Sequence, residues 1–265
     1  MLNVIAAAAL AAATPADPPP AQPEAAPAMF ELRDADTTIY VFGTFHALDT
    51  KTQWFNDRVR GAFERSNELV LELVLPEQPK PYRPSPGFHP PSVTPSASFL
   101  ATTRMAINAG RSQGLQVDNG ADMILRYAAE AEGKPVEGLE TMQFQLDMFS
   151  HMPAPASPAP QFRTAGTSND RQMQSLSKAM TDMQAAWKRG DQKVFVDMLA
   201  QLRAASPETY RMLFTERNDR WADWIRARMR TPGTVFVAVG AGHLAGPDSL
   251  LVRLAERGLP SRRVY

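Results

Sequence analysis

Two stretches, far apart in the chain, constrain the fold more than anything else in it. Thr38–His46 (TIYVFGTFH) and Val235–His243 (VFVAVGAGH) each run as an apolar segment, a glycine, two residues and a histidine. Short apolar runs rich in β-branched and aromatic residues read as strands buried on both faces of a largely parallel sheet. The glycine permits a tight turn and a close backbone approach. Open α/β sheets bind ligands at the C-terminal ends of their strands. Each histidine is therefore expected at the rim of a crevice. The echo suggests two related half-units presenting equivalent turns, with two imidazoles aimed at one point.

The rest of the chain fits an α/β reading. Met29–Leu32, the polar turn Asp34–Asp36 and Thr38–Phe42 read as a β-hairpin. Gln53–Ser66 has helical spacing, with Trp54, Phe55, Val59, Ala62 and Phe63 on one side. Glu68–Leu75 is a nearly continuous apolar run, read as a strand. Ala121–Ala131 reads as a helix closed by Gly133, Lys134–Val136 as a short strand, and Glu137–Thr141 as the junction to a helix through Phe149. Arg171–Arg230 is helical in about three pieces, broken near Gly190-Asp191 and Ser206-Pro207. Thr234–Val239 is a strand and Asp248–Arg257 a helix closed by Gly258. Pro76–Pro95 and His151–Asp170 read as Pro-rich loops, and exposed loops near Phe88 and Phe162 are placed to gate the crevice. The expected architecture is a mostly parallel or mixed central sheet with a helical insertion.

The first 28 residues are expected to lie outside this body (29–265). Leu2–Ala13 is a twelve-residue apolar run, shorter than the roughly 20 residues that span a bilayer and suited to a signal-peptide core. Thr14–Ala28 is a Pro/Ala-rich linker. The expected location is periplasmic or secreted, with no stable membrane span after processing. No Lys or Arg precedes the run, so a disordered Ala-rich tail is the competing reading.

Lys+Arg and Asp+Glu both number 28, and that balance gives no electrostatic case for a nucleic-acid partner. The lack of cysteine excludes thiolate nucleophiles and Cys-based zinc sites. No phosphate-cradling glycine loop, HExxH or GxSxG motif is present. Of the four histidines, His89 and His151 lie in Pro-rich contexts and receive no role. His46 and His243 have matching contexts, and imidazole is the commonest side-chain metal ligand. Glu72, a charge inside an apolar strand, is costly unless paired, protonated or metal-bound. Period-two alternation equally allows it to face solvent on an edge strand. Glu140 is either a ligand or general base, or a charge favouring the next helix N-terminus. Arg217 shares a helix face with Trp221 and Trp224. There it binds a substrate carboxylate, an oxyanion or a site glutamate, or covers apolar surface with its stem. The Trp and Met residues of the central helices read as core.

Taken together, these residues resemble the TraB/GumN family, related to the Tiki proteases, from about Phe30 to Tyr265. The likeness rests on Tyr40–His46, the strand holding Glu72, Glu137–Thr141 with Gln145, Ala186–Asp191, Glu216–Asn218 with Trp221, and Val239–Asp248. More distant likeness runs to erythromycin-esterase-like and haem-linked ChaN-like folds. The resemblance implies a metal-dependent hydrolase, a peptidase, with His46, Glu72 and His243 holding a divalent ion (Mn, Co, Zn or Fe). Glu72 or Glu140 would then be the base, and Arg217 would steady an oxyanion or an acidic group. The partner would be a peptide or small-molecule substrate. Two other readings stay open: a protein that binds metal, haem or peptide without turnover, and a metal-free hydrolase of esterase type.

Overall fold

The computed structural model describes residues 24–74, 108, 110–153 and 168–264. The apolar leader, most of the linker, the Pro76–Pro95 stretch with Phe88 and His89, and Phe162 lie outside them.

β1 (Met29–Arg33) and β2 (Thr37–Thr44) form the expected antiparallel hairpin. Its turn is fixed by Asp34 Oδ1, which accepts from the N–H groups of Asp36 (3.1 Å) and Thr37 (2.8 Å). Next come α1 (Asp57–Arg65), β3 (Glu68–Leu73), α2 (Ala121–Ala131), β4 (Val136–Glu140) and α3 (Met142–Ser150). The helical block is α4 (Ser168–Lys188), α5 (Lys193–Ala205) and α6 (Pro207–Tyr210). A wide π-type turn (Arg211–Thr215) joins α6 to α7 (Glu216–Arg228). β5 (Gly233–Gly240), a 3-10 turn at Ala241–Leu244, α8 (Leu250–Glu256) and β6 (Arg262–Arg263) complete the order.

The described strands make one mixed sheet, ordered β4-β3-β5-β2-β1-β6. β4, β3, β5 and β2 run parallel, while β1 and β6 add an antiparallel flank. Helices cover both faces. One core joins Phe42 and Phe236 to Phe63 of α1, Leu125 of α2, Trp187 of α4 and Phe195 of α5. The other joins Val41 and Val237 to Trp221 and Ile225 of α7 and Leu250 and Leu254 of α8. Burial on both sides explains why β5 reads as an unbroken apolar run.

Three local expectations are corrected. α1 starts at Asp57, not Gln53, because Asn56 caps it, its side chain accepting from Val59 N. Trp54 precedes the helix and stacks on Phe42, centroids 5.6 Å apart. The strand expected at Lys134–Val136 instead runs Val136–Glu140, because Leu69–Leu73 supplies it a parallel partner. Third, the two Gly-x-x-His segments do not present equivalent turns. β2 and β5 are direct neighbours, but Gly43 pairs with Val239 and Thr44 with Gly240. The sequence echo is thus one residue out of step with the pairing, and a one-residue slip puts matching side chains on opposite faces.

Candidate active site

The C-terminal ends of β2, β3, β4 and β5 meet along one edge, and there the charged residues of the core gather. β3 lies between β4 and β5, so Glu72 is not on an edge strand. Its Oε1 accepts the Gly240 N–H at 2.5 Å, and its Oε2 accepts from Arg217 Nη2 at 3.0 Å. Glu140, the last residue of β4, is 8% exposed. Its carboxylate takes a bidentate pair from Arg217, Nε to Oε1 at 2.8 Å and Nη2 to Oε2 at 2.9 Å. Trp221 Nε1 (3.1 Å) and Gln145 Nε2 (3.0 Å) also donate to it. Arg217 projects from the first turn of α7, just after the π-type turn, whose Leu213 carbonyl accepts from Nη1 at 3.3 Å. The fifth contact is His243 Nε2, 3.3 Å from Nη1. A guanidinium has five N–H donors, and these contacts use them all. Arg217 therefore organises the cluster and has no free N–H for a substrate.

His243 sits in the 3-10 turn after β5 and is 4% exposed. Its ring lies against Trp221 and Phe214, with centroids 4.4 and 4.9 Å away. Asn218 Nδ2 donates to Asp248 O at 2.7 Å, which turns Asn218 Oδ1 toward His243 Nδ1, also at 2.7 Å. Nδ1 therefore carries the proton and Nε2 accepts from Arg217. Burial, with the Arg217 charge adding to it against the pull of Glu72, pushes His243 down to about 3. It is a neutral imidazole in the folded chain.

His46 is held differently. Gly120 at the start of α2 lies so close that a Cβ there would fall 2.5 Å from the His46 carbonyl oxygen. The glycine lets α2 dock and brings Asp122 Oδ1 to 3.2 Å from His46 Nδ1. The ring opens into the crevice, with 58% of its side chain accessible. Crowding by the crevice walls opposes its charge, but Asp122, with Glu72 behind it, outweighs this and raises His46 to about 9. For Glu72, burial opposes ionisation, yet His243, Arg217, His46 and the Gly240 N–H hold it down at about 2. Gly240 is the floor on which these groups converge. A Cβ there would lie 3.1 Å from Glu72 Oε1, 3.3 Å from His46 Nε2 and 3.8 Å from His243 Cδ2.

Two cavities meet at this edge, one of about 560 Å³ and one of about 360 Å³, and both reach His46, Glu72, Arg217 and Thr44. Thr44 is 2% exposed, and its hydroxyl has no hydrogen-bond partner among the described residues. An unsatisfied buried hydroxyl costs about 1–3 kcal/mol. The near-isosteric Thr44→Val is therefore expected to raise stability by about that amount and Tm by several degrees. Scanning calorimetry checks this, and a lower Tm would show that the hydroxyl is bonded in the folded chain.

The five residues expected at the site thus lie at one sheet edge. Glu72, Glu140, Arg217 and His243 share one polar network, and His46 stands beside it. Glu137 is exposed on β4, and His151 is exposed at the end of α3 with Nδ1 2.7 Å from Asp147 O. Sequence reasoning missed Asp122, Asn218 and Thr44. The adjacency of Asn218 to Arg217 was the available signal, since both share the buried side of α7.

The donors themselves test whether a divalent ion fits. His243 Nδ1 is hydrogen-bonded to Asn218, as in metal-bound histidines, and His46 Nδ1 stands in ion-pair range of Asp122 at 3.2 Å. The His243 Nε2 lone pair, however, already faces an Arg217 N–H, and the same guanidinium holds Glu72. Among the described residues no three His, Cys, Asp or Glu side chains group closely enough to hold an ion. As the chain stands, this is an arginine-bridged cluster and not a ligand cage.

Fold and site together define an α/β protein with a carboxylate–arginine–histidine centre at its parallel strand ends. The family model described as TraB/PrgY/gumN matches residues 28–84 and 90–263, and the chain belongs to that family. No curated protein and no solved structure matches the chain. Among the described residues no helix is long and apolar enough to cross a membrane.

Proposed function

We propose that the chain is a hydrolase of amide or ester bonds, in which His46, raised to about 9 and so protonated at neutral pH, gives its proton to the leaving group and regains one from the attacking water. The observation that supports this is the setting of His46. A carboxylate stands behind Nδ1, and the rest of the ring faces the crevice above Gly240, next to Glu72. An imidazole held by a carboxylate on one nitrogen and open on the other is a standard acid–base unit. Arg217, with every donor spent, fixes Glu72 and His243 as a rigid wall. The apolar leader supports an exported protein working in the periplasm or outside the cell.

A metal-dependent peptidase, the reading implied by the family likeness, is favoured by the placement of Asn218 and Asp122 at the Nδ1 atoms of His243 and His46. It requires the Arg217 guanidinium to release His243 and Glu72. The test is turnover of an amide and ester library by wild type, His46→Ala and Asp122→Asn, each with and without chelator. His46→Ala is expected to lose roughly 10²–10⁴-fold in kcat/KM, with wild-type turnover surviving chelation. Turnover undiminished in His46→Ala would overturn the assignment. Turnover abolished by chelator would favour the metal-dependent reading, and none at all would favour a binding protein.

A further inference from the structure

The larger cavity says what kind of group lies beside the reacting bond. Its walls are Leu115, Met180 and Met183 of α4, Phe195 and Met198 of α5, and Phe214 of the π-type turn. Sequence reasoning placed these methionines in the core. They are only partly buried and pack on the core from the cavity side. One end of the cavity is polar, formed by His46, Glu72, Arg217 and His243, and Val117 on its wall is 44% exposed.

We infer that this cavity takes an acyl chain of roughly eight to twelve carbons, with its carbonyl at the His46–Glu72 end. The inference rests on the hydrolase reading for the orientation of the carbonyl, not for the occupancy of the cavity. Three observations carry it. At about 30 Å³ per water-sized group, 560 Å³ admits roughly ten to twenty non-hydrogen atoms, more than most single amino-acid side chains supply. A stretch of peptide would bring an amide N–H and C=O with every residue, and burying these without partners is costly. Among the described lining residues away from the polar end, Arg111 carries the only charged side chain. Unbranched methionine walls adapt to a flexible chain and do not impose the outline of a rigid ring. The group that enters is therefore hydrocarbon, and the scissile amide or ester stays at the polar end.

The binding test uses the full chain and a dansyl-labelled undecanoate as fluorescent probe, displaced by butyramide, decanamide and an apolar tripeptide amide. Saturable probe binding is expected, with decanamide displacing it at concentrations at least tenfold below butyramide and the tripeptide. Met198→Asp, which puts a charge on the wall, is expected to weaken probe binding at least tenfold. Met198→Leu, which keeps fold and apolarity, is expected to stay within about threefold of wild type. Absence of saturable binding, equal displacement by butyramide, or better displacement by the tripeptide would each overturn the inference. These readouts need no turnover. Decanamide-selective binding without hydrolysis of decanoyl amides or esters would defeat the hydrolase reading and leave the acyl site standing. Hydrolysis without preference for the longer chain would do the reverse.

Discussion

Replacing Arg217 with methionine is expected to cost the fold about 3–5 kcal/mol, the range seen when one partner of a buried ion pair is removed. Only 7% of the Arg217 side chain and 2% of the Glu140 side chain are exposed, so little water reaches the contacts between them. Glu140 would keep the N–H groups of Trp221 and Gln145 but lose its bidentate partner. Glu72 would keep the Gly240 N–H alone among its close donors. The guanidinium also lies over the Trp221 ring at 4.6 Å, a contact the thioether replaces only in part. Glu140→Met is expected to cost a similar amount, because it removes two of the five guanidinium contacts and leaves Glu72 as the one carboxylate bonded to it. The double variant should lose clearly less than the two single losses combined, since exchanging a buried pair for apolar groups of similar size is often near neutral. Urea titration of the four proteins measures this cycle. Additive losses would mean that Arg217 and Glu140 are not coupled. A single loss below about 1 kcal/mol would mean that the pair is solvated.

The part of this centre that sequence exposed is the part set by local pattern. α2 was legible to the residue, because an apolar face and a terminal glycine mark its limits. β5 was legible because a strand covered on both sides has to be apolar throughout. Glu72 stood out for the same reason, as a charge where its neighbours admit none. What depended on partners was hidden. Glu-Gly-Leu-Glu at 137–140 has the composition of a turn, and it is a strand because β3 pairs with it. The one-residue slip between β2 and β5 is a property of their pairing, and neither strand carries it alone. Asp122 looks like an ordinary first-turn acid until the close approach at Gly120 lays α2 against His46. Arg217 had several plausible partners, and only the meeting of β3, β4 and the turn after β5 shows that it takes two site glutamates and His243.

Acid should destabilise the protein earlier than carboxylates alone would dictate, and the signs follow from the site. In the folded chain His243 stays neutral down to about 3, while an unfolded histidine takes up its proton near 6.5. Between those values the unfolded state binds the extra proton, so stability falls as pH falls through that window. Glu72 acts in the same direction lower down: its contribution is complete above 4.5 and is lost as pH drops toward about 2. His46 works in the opposite sense. Raised to about 9, it adds stability below 6.5 that disappears as pH climbs through 9. Its open position in the crevice keeps that contribution small. With chelator present to keep the site free of metal, stability is expected to peak near pH 6.5. It should fall on the acid side by up to roughly 1.4 kcal/mol for each pH unit within the His243 window. His243→Gln retains an acceptor for Arg217 but cannot titrate, so it should flatten the slope between pH 6.5 and 4.5 and leave the steeper fall below 4.5. Thermal melts of both proteins across pH 3–9 decide the matter. An unchanged slope in His243→Gln would show that the acid sensitivity arises elsewhere, and that His243 is not held neutral against Arg217.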